Sequence, residues 1–271
     1  MARSALRLEE EPMPWYDLPE EQLKDYRTGT QEPAELDRWW RERLDQARAV
    51  AREPVLTRYE AGTYGPVEVY DTEFSGAGGD RIRAWYLRPA GGPDPSAPVA
   101  VKFIGYGGGR GRPSEHALLP ALGYALLVMD TRGQGGRWST GATGDHADGW
   151  HAGPEYAAVM TRGIARPEDY YYTRLFTDAV RAVETACALA GAARVAVTGV
   201  SQGGGLSLLR PGRLTPSAPE FHEVRSSRPG ILINAENRPL ISPFAEHPLS
   251  EMIERPSPLP TFAWLCPTSG F

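Results

Sequence analysis

Apolar residues recur in a helical rhythm over two long segments of the chain. Residues 33–52 begin with Pro33, which suits a first helical position, and their apolar side chains then step by three and four. Residues 171–190 repeat this spacing and are followed by Gly191, a residue type that often ends helices. The pattern predicts two amphipathic helices, with apolar stripes formed by Leu36, Trp40, Leu44, Ala47 and Ala51 and by Phe176, Val180, Val183, Cys187 and Ala190.

Shorter apolar runs predict strands. Residues 67–74 and 81–89 flank a Gly-rich segment, which indicates an antiparallel hairpin at a sheet edge. Residues 99–104 and 124–130 are apolar without alternation, as expected for parallel strands buried on both faces. Residues 194–198 form a further short run. The order of these elements predicts an α/β fold with a mostly parallel central sheet flanked by helices.

The chain changes character after residue 208. Residues 209–271 hold 11 of the 25 prolines, and proline breaks helices and removes the donors that a central strand needs. Residues 231–233 are the only strand candidate that we find there. We therefore predict a core domain over 1–208 with an N-terminal helical extension, and an irregular or poorly ordered tail over 209–271.

Charge and composition limit the classes of partner and the cellular location that we expect. The net charge is -5 with a pI near 5.6, and no Lys/Arg-rich block stands out, so we expect no nucleic-acid partner. The N-terminus turns acidic at Glu9 before an apolar leader could form, and no run approaches the roughly 18 apolar residues of a membrane span. We expect a cytoplasmic protein that does not enter a membrane.

Four possible metal ligands lie close together in a Gly-rich stretch, at Asp145, His146, Asp148 and His151. No helical or Cys-based framework holds these side chains around a common centre. Because such residues in loops commonly face solvent or cap turns, we predict no metal site here.

A candidate nucleophile lies at Ser201, within the Gly-x-Ser-x-Gly sequence of residues 199–203. This turn follows a predicted strand and precedes a predicted helix that begins at Gln202, which is the setting of a nucleophile elbow. The glycines leave space around the serine, and the N–H groups at the start of the helix could stabilise an oxyanion. The alternative is a tight turn with a purely structural role.

A second Gly-rich segment, residues 104–111, follows the predicted strand 99–104. Its glycines would let backbone N–H groups approach a ligand closely, as in the other half of an oxyanion hole. A phosphate-binding loop and a flexible turn are the alternatives. Because no Lys-Ser/Thr pair follows, a Walker-type loop is not supported.

Three segments together carry a family resemblance: residues 104–111, 130–135 and 199–204. They resemble signatures of the acetyl xylan esterase and cephalosporin-C deacetylase family, which has an α/β-hydrolase fold. The segments 16–40 and 162–172 are similar too, so the resemblance covers about residues 13–208.

The resemblance implies a set of roles. Ser201 would be the nucleophile, the backbone N–H groups of Gln202 and Tyr106 would form the oxyanion hole, and Arg132 would brace the elbow. The substrates would be small acetylated sugars or cephalosporin-C-like esters. The family uses no metal or organic cofactor, and its members often form rings of subunits, which implies a homo-oligomer.

The partners of Ser201 are the weak point of this interpretation. A serine nucleophile needs a His base and an acid, in the chain order Ser, acid, His. No Asp follows Asp178, and the pair His222-Glu223 comes soon after Ser201, whereas the family places its His-Glu pair much further downstream. Glu236 with His247 keeps the order but has no other support.

Three readings therefore stay open. The first is an acetyl esterase that works through Ser201. The second is a catalytically inactive remnant of such an esterase, truncated or frameshifted after about Leu208. The third is a related serine hydrolase such as a peptidase, because fold and elbow do not decide the leaving group.

Overall fold

The computed structural model describes residues 18–27, 29–60, 64–145, 159–191 and 194–208, together with the backbone of three short strands after residue 208. The chain divides into two compact units, residues 1–36 and residues 37–271. The first unit contains a short helix, α1 (Glu20–Asp25). The elements below belong to the second unit, apart from the first residue of helix α2.

The strands form one mixed sheet. Six of them are β1 (Val55–Arg58), β2 (Val67–Ser75), β3 (Arg81–Pro89), β4 (Val99–Phe103), β5 (Ala125–Met129) and β6 (Arg194–Gly199). Their order across the sheet is β1-β2-β3-β5-β4-β6. The pairs from β1 to β5 are antiparallel, whereas β5, β4 and β6 run parallel to one another. The α/β prediction is confirmed, but the sheet is mixed rather than mostly parallel, because β1, β2 and β3 pair in antiparallel fashion and only β5, β4 and β6 run parallel.

Three short strands continue the sheet beyond β6, in the order β9-β7-β8. They are β7 (Val224–Arg225), β8 (Leu232–Ile233) and β9 (Thr261–Leu265). The pattern predicted a strand at 231–233 but not at β9. The rest of 209–271 lies outside the described residues, so the domain boundary at 208 and the irregular tail stay predictions.

The hairpin of β2 and β3 is confirmed, but it is not the edge of the sheet. β1 pairs with β2 on its outer side and occupies that edge. The sequence pattern missed β1 because the strand is short and only Leu56 within it is partly buried. A strand with so little buried surface carries no alternation of apolar and polar residues.

Helices cover both long periodic segments. They are α2 (Leu36–Ala49) and α4 (Tyr171–Ala190), and α4 ends where Gly191 adopts a left-handed conformation with φ 62°. Two short helices, α3 (Leu118–Ala121) and α5 (Gln202–Ser207), complete the described set. None of the helices in this part of the chain combines the length and the apolar character needed to cross a bilayer.

The central strands are buried on both faces, as their continuous apolar runs predicted. Val101 of β4 and Leu127 of β5 pack in a core cluster with residues of α4, whereas Ala100 and Leu126 pack in a second cluster with Leu119 of α3. Alternate residues of each strand therefore contribute to different apolar layers.

A buried ion cluster joins the loop after β5 to helix α4. The Arg132 side chain is fully buried and binds both carboxylate oxygens of Asp178, at 2.5 and 2.7 Å, and Asp80 at 2.9 Å. Burial alone would lower the pKa of Arg132, but the charges of Asp178, Asp80 and Asp145 outweigh it and raise the pKa above its ordinary value. Arg132 is therefore a permanent cation in the core.

Asp145 belongs to the same cluster, which corrects its expected position in a solvent-facing loop. It is 2% exposed and pairs with Arg162 at 2.9 Å and with Arg174 at 2.6 Å. Burial opposes its ionisation, but the surrounding arginines keep the pKa of Asp145 below its usual value. The composition of the loop gave no sign of this, because two of the partner arginines come from later segments of the chain.

The ion cluster makes a prediction for stability. Asp178→Asn keeps the shape of the side chain but removes the charge that compensates Arg132, so we expect a loss of about 3–5 kcal/mol in the free energy of unfolding. Glu184→Gln on the same helix is the control, because this glutamate is 30% exposed and should cost less than about 1 kcal/mol. Urea denaturation measures both. Equal losses would contradict a special role for the buried pair.

Candidate active site

Three loops meet at the carboxyl ends of adjacent parallel strands. Residues 130–135 follow β5, residues 104–111 follow β4, and residues 199–203 begin at the last residue of β6. The last residues of β4 and β6, Phe103 and Gly199, are direct partners across the sheet. The second and third loops, here named the glycine loop and the elbow, therefore start side by side at an edge where α/β proteins place their ligand sites.

The elbow holds Ser201 in a strained backbone conformation. Ser201 has φ 55° and ψ -117°, and it is the only non-glycine residue with positive φ in the part of the chain that the structure describes. It lies directly before α5 and its side chain is exposed. A residue in this conformation needs support from its surroundings, and such strain is concentrated at functional sites.

The two glycines of the elbow are required by close backbone contacts. A Cβ atom on Gly203 would lie 2.4 Å from the carbonyl oxygen of Phe103, and a Cβ atom on Gly199 would lie 2.2 Å from the carbonyl carbon of Gly203. Neither position has room for a side chain. The Gly-x-Ser-x-Gly spacing therefore allows α5 to pack directly against the end of β4.

The glycine loop is held in place by buried polar contacts around Arg110. The Arg110 backbone N–H donates to Asp130 at 2.7 Å, and its side chain donates to Asp71 at 2.7 Å and to the Ala84 carbonyl at 2.8 Å. Its guanidinium also lies over the Trp85 ring, 4.0 Å from the centroid. These contacts anchor the far end of the loop to β2, β3 and the loop after β5.

Gln134 links the glycine loop to the elbow. Its Oε1 accepts the N–H of Gly107 at 2.6 Å, and its Nε2 donates to Oε1 of Gln202 at 3.1 Å. Tyr172 donates its hydroxyl to the same Gln202 oxygen at 3.1 Å. Arg132, which the sequence suggested as the brace, directs its side chain to the acids of the ion cluster, and its carbonyl accepts from Tyr171 at 2.6 Å.

The sequence therefore pointed to the right segment for the brace but not to the side chain that contacts the elbow. Gln134 lies two residues after Arg132 in residues 130–135, the second family-like segment. Its presence there was a usable signal. Tyr172 was harder to predict as a contact of the elbow. It is one of several neighbouring tyrosines at a predicted helix, and nothing in the sequence indicates which residue it contacts.

Trp138 lies beside both loops and is 60% exposed. Its indole N–H donates to the Tyr106 carbonyl at 3.0 Å. A Cβ atom on Gly105 would lie 3.5 Å from the Trp138 ring and 3.2 Å from the carbonyl oxygen of Val200, next to Ser201. An exposed aromatic ring therefore lies against the glycine loop, near the start of the elbow.

His116 is the only histidine in the described ranges, and its position suits a structural role. Its Nε2 lies 2.8 Å from the Arg110 carbonyl and its Nδ1 lies 3.1 Å from Nζ of Lys102. Burial, reinforced by the Lys102 charge, lowers the pKa of His116. Both ring nitrogens are thus engaged, Nε2 with the glycine loop and Nδ1 with Lys102 of β4.

Several residues considered in the sequence fall outside the described part of the chain. In the suspected metal region, this applies to His146, Asp148 and His151. The possible triad partners His222, Glu223, Glu236 and His247 do so as well. Across the described residues, no group of three or more His, Cys, Asp or Glu side chains is arranged so that it could hold a metal ion.

Comparisons with known proteins agree with this geometry. A model of the acetyl xylan esterase family matches residues 13–217. The solved acetyl xylan esterase from Paenibacillus sp. R4 is 34% identical with a TM-score of 0.60, over 70% of this chain and 58% of that one. Acetyl xylan esterase 1 from Thermoanaerobacterium sp. JW/SL YS485 is 28% identical with a TM-score of 0.60, over 71% and 59%.

These likenesses confirm the predicted family resemblance and the α/β-hydrolase-like fold. This chain spans less than two thirds of the length of either solved relative.

The close packing of the elbow predicts that alanine has different effects on stability at two glycines of α5. Gly203→Ala places a methyl group against the Phe103 carbonyl, so we expect a loss of about 1–3 kcal/mol in the free energy of unfolding. Gly205→Ala lies in the same helix with nothing within 4 Å, so we expect no loss or a gain of about 0.5–1 kcal/mol. Denaturation curves give both values. Similar values for the two variants would show that the elbow is not closely packed.

Proposed function

The chain belongs to the acetyl xylan esterase family, and on this premise we propose that it is a serine-dependent ester hydrolase that removes acetyl groups. One observation carries the proposal: the exposed Ser201, held at positive φ, lies beside a loop of closely packed glycines at the ends of parallel strands. A tight turn with only a structural role has no need for an exposed, strained serine.

In the proposed reaction, Ser201 Oγ attacks the acetyl carbonyl carbon, and the electron pair of the C=O bond moves to oxygen. The N–H groups of Gln202 and Tyr106 donate to this oxyanion. Collapse of the tetrahedral intermediate expels the alcohol, which takes up a proton, and leaves an acetyl ester on Ser201. Attack by water then releases acetate and restores the hydroxyl.

The base that accepts the Ser201 proton is a further part of the proposal. His116 is engaged through both ring nitrogens and does not suit the role. The candidates that follow Ser201 in the chain are His222 and His247, with Glu236 as a possible acid for the latter. An inactive relative, the alternative reading, would lack turnover that depends on Ser201.

For the substrate, we propose an acetyl ester of a small sugar, or a cephalosporin-C-like ester. The exposed ring of Trp138 beside the elbow supports an alcohol portion with an apolar face, because aromatic side chains commonly line small-molecule sites. The apolar C–H face of a pyranose fits such a surface. Cytoplasmic location and the lack of a nucleic-acid partner remain expectations from the sequence, and homo-oligomer formation remains an expectation from the family resemblance.

The nucleophile is tested by p-nitrophenyl acetate hydrolysis with the parent chain and Ser201→Ala. We expect saturable turnover in the parent and a loss of about 10³-fold or more in kcat for the variant, which keeps only oxyanion stabilisation and binding. Ser96→Ala, at an exposed loop position, is the matched control and should retain the parent rate. Mass spectrometry should find the acetyl group of the intermediate on the peptide that contains Ser201.

Equal background rates in the parent and Ser201→Ala, with both proteins folded, would reject the esterase and favour the inactive relative. Turnover in the parent would then allow His222→Ala and His247→Ala to be compared. Only the variant that lacks the base should lose the rate at neutral pH.

The proposed role of Trp138 predicts a change in substrate preference. Trp138→Ala should lower kcat/KM for acetylated xylo-oligosaccharides by roughly tenfold more than for methyl acetate, because the methanol portion is too small to cover the exposed aromatic face. Trp138→Phe keeps an aromatic face and should preserve most of the ratio between the two substrates. An unchanged ratio in Trp138→Ala would remove this residue from the substrate site.

A further inference from the structure

Gln134 is fully buried, and hydrogen bonds fix the direction of its amide. Oε1 accepts the Gly107 N–H at 2.6 Å, and Nε2 donates to the Tyr171 hydroxyl at 2.8 Å and to Gln202 Oε1 at 3.1 Å. The Tyr171 hydroxyl donates its own proton to the Arg132 carbonyl at 2.6 Å, so its oxygen is the acceptor for Gln134. Only one orientation of the amide satisfies all these contacts.

The two ends of this amide lie next to the two proposed oxyanion donors. Gly107 follows Tyr106 directly in the glycine loop, and Gln202 follows Ser201 in the elbow. A single planar amide therefore spans the gap between the two loops. Two donors stabilise an oxyanion only when both are aimed at the same point. The distance between the two loops therefore affects how well the proposed donors can bind it together.

The contacts of Gln134 are uncharged over the usual assay range. The titratable side chains in this network are Tyr171 and Tyr172 of α4, and burial raises the pKa of both. The nearby Arg132 directs its guanidinium to Asp178 and Asp80 rather than to this amide. The link between the two loops through Gln134 therefore consists of uncharged hydrogen bonds.

We propose that Gln134 is a positioning residue that fixes the relative placement of the Tyr106 and Gln202 backbone donors. The proposal rests on the proposed esterase function. Its structural part, the coupling of the two loops, can be measured without catalysis. Gln134 is not expected to touch the substrate, because it is fully buried beneath both loops.

The first test compares Gln134→Met and Tyr172→Phe with the parent. Gln134→Met fills similar space without polar contacts, and we expect kcat for p-nitrophenyl acetate to fall by on the order of 10²-fold with little change in KM. Tyr172→Phe removes one hydrogen bond to Gln202 and leaves Gln134 in place, so kcat should fall by only roughly 2- to 10-fold. A structural role alone would lower the folded fraction and leave kcat per folded molecule unchanged.

Gln134→Glu provides a pH-dependent rescue. The protonated carboxyl group can accept from Gly107 and still donate once, whereas the carboxylate loses its donor and faces the oxygens of Tyr171 and Gln202 with a negative charge. Burial raises the pKa of such a carboxyl group. The ratio of the variant kcat to the parent kcat should therefore be highest at low pH and fall by about tenfold or more as the carboxyl group ionises.

Amide NMR separates failure of this proposal from failure of the esterase function. Gln134→Met should shift the amide signals of Gly107, Tyr106 and Gln202, whether or not the chain hydrolyses esters. If the parent is inactive and these signals shift, the esterase proposal fails and the coupling stands. If Gln134→Met is unfolded, the same measurement is made on Gln134→Glu, whose amide signals should shift between low pH and the higher pH at which the carboxyl group is ionised. Unmoved Tyr106 and Gln202 signals in a folded variant, or a kcat ratio independent of pH in an active one, would overturn the proposal.

Discussion

The direct packing of α5 against the end of β4 is the constraint on which the candidate site depends. Gly203 lies so close to the Phe103 carbonyl that a methyl group does not fit, and Gly199 is equally close to Gly203. With the helix pressed onto the neighbouring strand, the chain between them has to turn through a left-handed residue, and Ser201 occupies that position. The shape of the elbow and the exposure of its serine thus follow from one backbone contact.

Two buried polar networks surround this contact, and they differ in charge. The ionic one, centred on Arg132, joins α4 to the loop after β5 and to the β2–β3 turn. The neutral one, centred on Gln134, lies directly under the two loops of the site. A neutral support has a physical advantage there, because it adds no fixed charge whose field would compete with the backbone dipoles proposed to hold an oxyanion.

The sequence predicts those elements of the fold in which apolar side chains recur at a regular spacing. Helix α4 matches its predicted bounds because it has a continuous buried stripe and a glycine that adopts positive φ directly after it. Strand β1 was not predicted, because it buries too little surface to produce an alternation of apolar and polar residues. Asp145 was misjudged for a different reason, since its environment comes from arginines in later segments, and local composition carries no record of tertiary partners.

The candidate site also has parts that the sequence predicts and a part that it does not. Ser201 and the glycine loop are visible in the sequence because steric demands on backbone restrict the residue types to glycine at fixed spacings. The link through Gln134 is a tertiary hydrogen bond between loops after different strands, and spacing does not encode such a contact.

The three successive glycines at 203–205 have a consequence for how the site responds to heat. Each glycine in a helix is less favourable than alanine by about 1 kcal/mol, so α5 has little intrinsic tendency to form and depends on its tertiary contacts. Segments of this kind open locally at free energies below that of global unfolding. The strained serine should therefore relax before the sheet melts, so that moderate warming disorders the elbow while the fold, as seen by circular dichroism, is still intact.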